Sequence, residues 1–88
     1  MIQRRRIEWQ LPEWLFTELH LAAPRASDEE RMALAIDIAR RNVEHGGGPF
    51  GAVVVERATG VVIAPGANFV VGPRSSPLHA EVVAVAVA

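Results

Sequence analysis

The chain contains no cysteine. That absence excludes disulfides, a thiolate nucleophile and any zinc site that draws on cysteine from within these residues. Lysine is missing as well: all nine basic side chains are arginine, which beside so many alanines and valines reads as codon bias and not as function. Neither sign of charge is in excess. Nine basic residues against ten acidic ones leave a formal charge of −1, so no electrostatic footprint for nucleic acid or an anionic membrane follows. Long apolar runs are lacking too, and nothing reaches the roughly 18 consecutive residues that suggest a membrane span. Arg4, Arg5 and Arg6 are followed by Glu8, Gln10 and Glu13, which rules against a signal peptide. The default expectation is a soluble, cytoplasmic protein.

What is present is an ordinary globular composition: 50% hydrophobic and 22% charged over 88 residues. A chain of this length makes one small domain at most, burying roughly 60–65% of its unfolded surface around a thin core. Residues 1–6 read as a polar, solvated tail. Beyond them Leu11, Trp14, Leu15 and Leu19 recur at three- and four-residue spacing after Pro12, which predicts a short amphipathic helix over about 12–21. Trp14 within it and Trp9 before it are expected to cover another element.

Pro24 to Ser27 ends that segment, and Ser27 with Glu30 three residues later forms a capping box for a second helix. Asp28, Glu29 and Glu30 suit its positive dipole end. The expected buried stripe is Met32, Ile36, Ala39 and Val43, widened by Leu34, Ala35 and Ile38. Asp37 and Arg41 form an i,i+4 pair on the other side. Gly46 stops the helix, with His45 near its negative end.

Gly46-Gly47-Gly48 matches neither G-x-G-x-x-G nor a Walker pattern, so a helix stop and a loop running close to other atoms is the better reading. Pro49 to Glu56 is a β-branched run expected to form a strand covered on both faces. Ala58-Thr59-Gly60 turns it back into Val61–Ala64 as an antiparallel neighbour, closed or bulged at Pro65-Gly66. A polar loop containing Asn68, Gly72, Pro73, Arg74, Ser75, Ser76 and Pro77 leads into His79-Ala80-Glu81. The last eight residues are ambiguous: valine alternation suits a strand, whereas Pro77 and the alanines suit a helix.

Alone, His79-x-Glu81 is a weak motif, since a single histidine is usually structural. The order of the whole stretch adds more. A capped helix, Gly48-Pro49-Phe50-Gly51-Ala52, a hairpin, Asn68, and then His79-Ala80-Glu81-Val82 together resemble the cytidine and deoxycytidylate deaminase superfamily, zinc-dependent nucleobase deaminases. Within it the two motifs look most like guanine deaminases. The resemblance covers about residues 27–88, leaving 1–26 as an N-terminal extension with its short helix.

The resemblance implies an α/β fold, the N-terminal part of a three-layer α/β/α sandwich. It also implies roles: His79 as a zinc ligand, Glu81 as the catalytic proton carrier, Asn68 and Phe50 as substrate contacts, and Ala80 as a backbone contact. It favours helix for the disputed C-terminal segment, and it implies a purine base as substrate, guanine becoming xanthine, with a homodimer in the complete protein. Zinc is the implied cofactor, but the family's two cysteines, in a P-C-x-x-C motif on the next helix, are not in this sequence, and His20 and His45 match no family ligand. The expectation is the N-terminal part of a longer deaminase, inactive by itself. The alternative is a non-catalytic module that completes its sheet against another subunit.

Overall fold

The structure is a computed structural model and describes residues 10–68 and 79–88. The tail at 1–6, Ile7, Trp9 and most of the polar loop, including Pro77, lie outside the described residues. The order of elements is α1 (Trp14–Thr17), α2 (Asp28–Glu44), β1 (Gly51–Val55), β2 (Val62–Ala67) and α3 (Ala80–Val87).

The first helix is a single turn, shorter than the predicted 12–21. Glu13 at its N-cap makes no side-chain capping bond, and the Glu18 N–H already closes onto the Trp14 carbonyl. Thr17 spends its hydroxyl on the Glu13 carbonyl at 3.1 Å, a local bond that competes with helix extension. Burial decides the conformation instead: Trp14, Leu15 and Leu19 all enter the core. The turn is held to the end of α2 by Trp14 stacked on His45, centroids 4.9 Å apart. Glu18 adds contacts to Arg41 at 3.1 Å and His45 at 3.4 Å.

Ser27 caps α2 as its sequence signature predicts. Its Oγ accepts from the Glu30 N–H at 3.1 Å and donates to Glu30 Oε1 at 3.0 Å, so the carboxylate returns to the hydroxyl and not to the capping backbone. Asp37 and Arg41 pair at 3.0 Å. This hydrogen bond, with a further one donated to Glu18, raises the Arg41 pKa above its ordinary value against the opposing effect of desolvation. Gly46 terminates the helix with φ +86°, a left-handed conformation that glycine adopts without penalty.

Of the predicted face of α2, the widening residues Leu34 and Ile38 are buried as expected, but the central stripe is displaced by part of a turn. Leu34, Ile38 and Asn42 are buried, while Met32, Ile36 and Val43 are exposed. At about 100° per residue, 34-38-42 lies roughly a third of a turn from 32-36-39-43. The helix carries two apolar arcs, and the hairpin takes the one that can approach it closely.

That approach is set by Gly51. A Cβ there would meet the Ala35 carbonyl, Ala39 N at 2.9 Å and Ile38 Cβ at 3.0 Å. On the other strand a Cβ at Gly66 would collide with Ala80 and Ala84 of α3. Gly51 pairs with Ala67 and Ala52 with Gly66 in an antiparallel hairpin, so alternation puts Gly51 and Gly66 on opposite faces. Helix α2 therefore covers one face and α3 the other, a helix–sheet–helix sandwich. The core joins Trp14, Leu15 and Leu19 to Leu34, Ile38, Ala67 and Val83.

Two strand details differ from expectation. β2 runs through Pro65 and Gly66 to Ala67, and the register irregularity falls between Val54 and Val55. Proline is tolerated because β2 is paired only with β1 among the described residues, and an edge position spares it a second ladder bond. The ambiguous C-terminus is helical from Ala80 to Val87. Among the described residues no helix is long and apolar enough to cross a membrane.

Candidate active site

At the open end of the hairpin, Phe50 immediately precedes β1 and Asn68 immediately follows β2. The Asn68 N–H donates to the Phe50 carbonyl at 3.3 Å, holding the two segments side by side. The N-terminus of α3 arrives at the same end because Gly66, Ala80 and Ala84 leave almost no side-chain bulk between helix and strand. The resulting cleft, about 400 Å³, is lined by Phe50, Gly51, Asn68, His79, Ala80 and Glu81. The five residues singled out in the sequence thus meet in one place, and Gly51 joins them.

His79 stands at the N-cap of α3 with extended backbone, φ −69° and ψ 153°, and makes no side-chain capping bond. It lies just before the helix, not within its first turn. Two positions apart inside a helix do not share a face. Because His79 stands outside the helical turn, that rule does not bind it, and it lines the same cleft as Glu81. Glu81 is in the first turn of α3. His79 and Glu81 are both exposed, whereas Ala80 between them is buried. Phe50 is 60% exposed and offers an open aromatic face, and Asn68 is only 8% exposed, a polar wall set deep in the cleft.

The glycine run proves to be a close-packed corner. A Cβ on Gly47 would sit 2.5 Å from Asn42 Nδ2, and one on Gly48 would press on the Asn68 side chain at 3.3 Å. Asn42 itself donates from Nδ2 to the carbonyls of Gly48 at 2.9 Å and Asn68 at 2.7 Å. Sequence reasoning missed Asn42. The signal was there: a polar residue continuing the 34-38 spacing onto a buried face.

As metal donors the cleft offers one imidazole and one carboxylate. No group of three histidine, cysteine or acidic side chains assembles among the described residues, and a catalytic zinc takes three protein ligands plus water. His79 suits one ligand position.

The fold is cytidine-deaminase-like. The chain matches the cytidine and deoxycytidylate deaminase zinc-binding region over residues 25–88 and belongs to that family. Solved structures of NE0047 are similar throughout. The complex with 2,6-diaminopurine is 38% identical with a TM-score of 0.81, covering 89% of this chain and 41% of that one. A mutant bound to 8-azaguanine is 35% identical, TM-score 0.85, over 93% of this chain and 46% of that one. The structure described as guanine deaminase from Nitrosomonas europaea is 34% identical, TM-score 0.84, over 98% and 47%. The chain therefore spans less than half the length of these structures. No curated protein sequence matches it significantly.

Proposed function

We propose that this chain carries the proton-transfer and base-binding part of a zinc-dependent purine deaminase, one that converts guanine and water to xanthine and ammonia. The observation that supports this most directly is the convergence of Phe50, Asn68, His79, Ala80 and Glu81 on a single cleft in a member of the deaminase family. The purine preference draws on the solved relatives, whose ligands are purine analogues.

Each residue has a task that its chemistry fits. Phe50 stacks against the flat base, and the Asn68 amide offers both a donor and acceptors to a purine edge. His79 supplies an imidazole to zinc, which when bound brings the pKa of its water toward 7. Glu81, which is not needed as a ligand, relays the two protons of the attacking water in turn, the first to the ring nitrogen and the second, from the added hydroxyl, to the departing amine. The remaining zinc ligands lie outside the described residues, and the complete protein is proposed to act as a homodimer.

Glu81→Gln is the decisive substitution. In the protein as its host expresses it, guanine deamination followed by ammonia release should fall at least about a hundredfold, as expected when a positioned general acid–base is lost, with bound zinc unchanged. Failure of the wild-type protein to deaminate any purine, or full activity in the variant, overturns the proposal.

A further inference from the structure

We propose that Asn42 is a positioning residue for the base-binding side of the cleft, acting through Asn68 and the Gly48–Phe50 segment; this rests on the purine-binding reading above. Asn42 is 1% exposed and sits in the penultimate position but one of α2, so its amide must be satisfied internally. Each of its two N–H groups has its own acceptor. One goes to the Gly48 carbonyl at 2.9 Å and the other to the Asn68 carbonyl at 2.7 Å, a residue 26 positions away. Turning the amide over would set its oxygen against two carbonyl oxygens, so the orientation is determined by the acceptors.

The clamp has no slack. The backbone of Gly47 passes so close to this amide that even a methyl group would overlap it, and the Gly47 N–H donates to the Asn42 carbonyl at 2.7 Å. One buried side chain thereby joins three pieces: the last turn of α2, the glycine corner that leads to Phe50, and the end of β2 that carries Asn68. The Asn68-to-Phe50 backbone bond closes the circuit. His79 precedes α3 and Glu81 lies within it, and none of these bonds touches either. The clamp therefore sets where the base is held and not how the proton moves, and its loss belongs in KM.

The test is a double-mutant cycle on the protein as its host expresses it, with guanine as substrate and thermal melting measured in parallel. Asn42→Asp keeps the shape but removes both donors. It should raise KM by at least about tenfold, since two buried hydrogen bonds are lost, with kcat within about threefold. Asn68→Ala should raise KM at least as much, and the double variant should lose less than the product of the two single losses, because part of the Asn42 effect runs through Asn68. If Asn42→Asp does not fold, Asn42→Ser takes its place, since a single short hydroxyl cannot bridge both carbonyls. A lower melting temperature with unchanged KM, or single losses that multiply in the double variant, overturns the positioning role while leaving the purine reading intact. If Asn68→Ala leaves KM unchanged, the assignment of Asn68 to the base falls first, and this inference falls with it.

Discussion

A single methyl group at Gly66 would strike the helix that delivers His79 and Glu81: its carbon would lie 2.5 Å from Ala84 N and 2.8 Å from Ala84 Cβ. At Gly46 the same methyl would meet nothing within 4 Å, and only the left-handed backbone, φ +86°, resists it. The two glycines should separate in a denaturation experiment. Gly46→Ala costs about 1–2 kcal/mol from backbone strain alone, and Gly46→Asn less. Gly66→Ala costs about 3 kcal/mol from overpacking and also weakens purine binding, because α3 must retreat from the cleft. Equal stability losses in urea melts of the two alanine variants would contradict the close packing. Neither glycine could be ranked from sequence, where both sit in turn-like surroundings. The cleft residues were legible for a different reason: Phe50, Asn68, His79, Ala80 and Glu81 lie in a stretch whose motifs together resemble a known family, and the resemblance implies their roles. Asn42 belongs to no motif, and its partners are distant in the chain, so only the fold brings it into view.

Among the elements, α2 shows where local signals are sufficient and where they are not. Its start was readable because a cap is a contact between neighbours. Ser27 meets Glu30 through two hydrogen bonds, and Gly46 stops the other end for an equally local reason. Ser27→Ala should therefore lower stability by about 1 kcal/mol, with Ser27→Asp restoring most of it. A urea melt that finds alanine neutral would mean the cap contributes nothing here. Which face of α2 enters the core is not a local matter. Both apolar arcs satisfy helical periodicity, and the choice was made by Gly51, which lets β1 lie against Ala35, Ile38 and Ala39. The C-terminal segment was undecided for the same reason. Its alternating valines suit a strand, but the helix is secured by Ala80 and Ala84 packing onto Gly66.

Over the whole molecule, the described residues build a hairpin between two helices and little more. A two-stranded sheet is marginal in water unless packing supports it, and here much of the apolar surface is left uncovered. Met32 is 61% exposed and Val85 69%, and Ile36, Val43 and Ile63 are exposed as well. The solved deaminases it resembles are more than twice as long, so this is the surface expected of part of a larger sandwich. A polypeptide of these 88 residues alone should therefore self-associate. In sedimentation velocity its weight-average coefficient should rise with concentration, and it should retain no stoichiometric zinc after gel filtration. Met32→Lys with Ile36→Lys should shift the distribution toward monomer, because these exposed positions lie on the outer arc of α2 and their charge repels copies without touching the core. A concentration-independent monomer with a cooperative melt would show instead that the thin core is sufficient by itself.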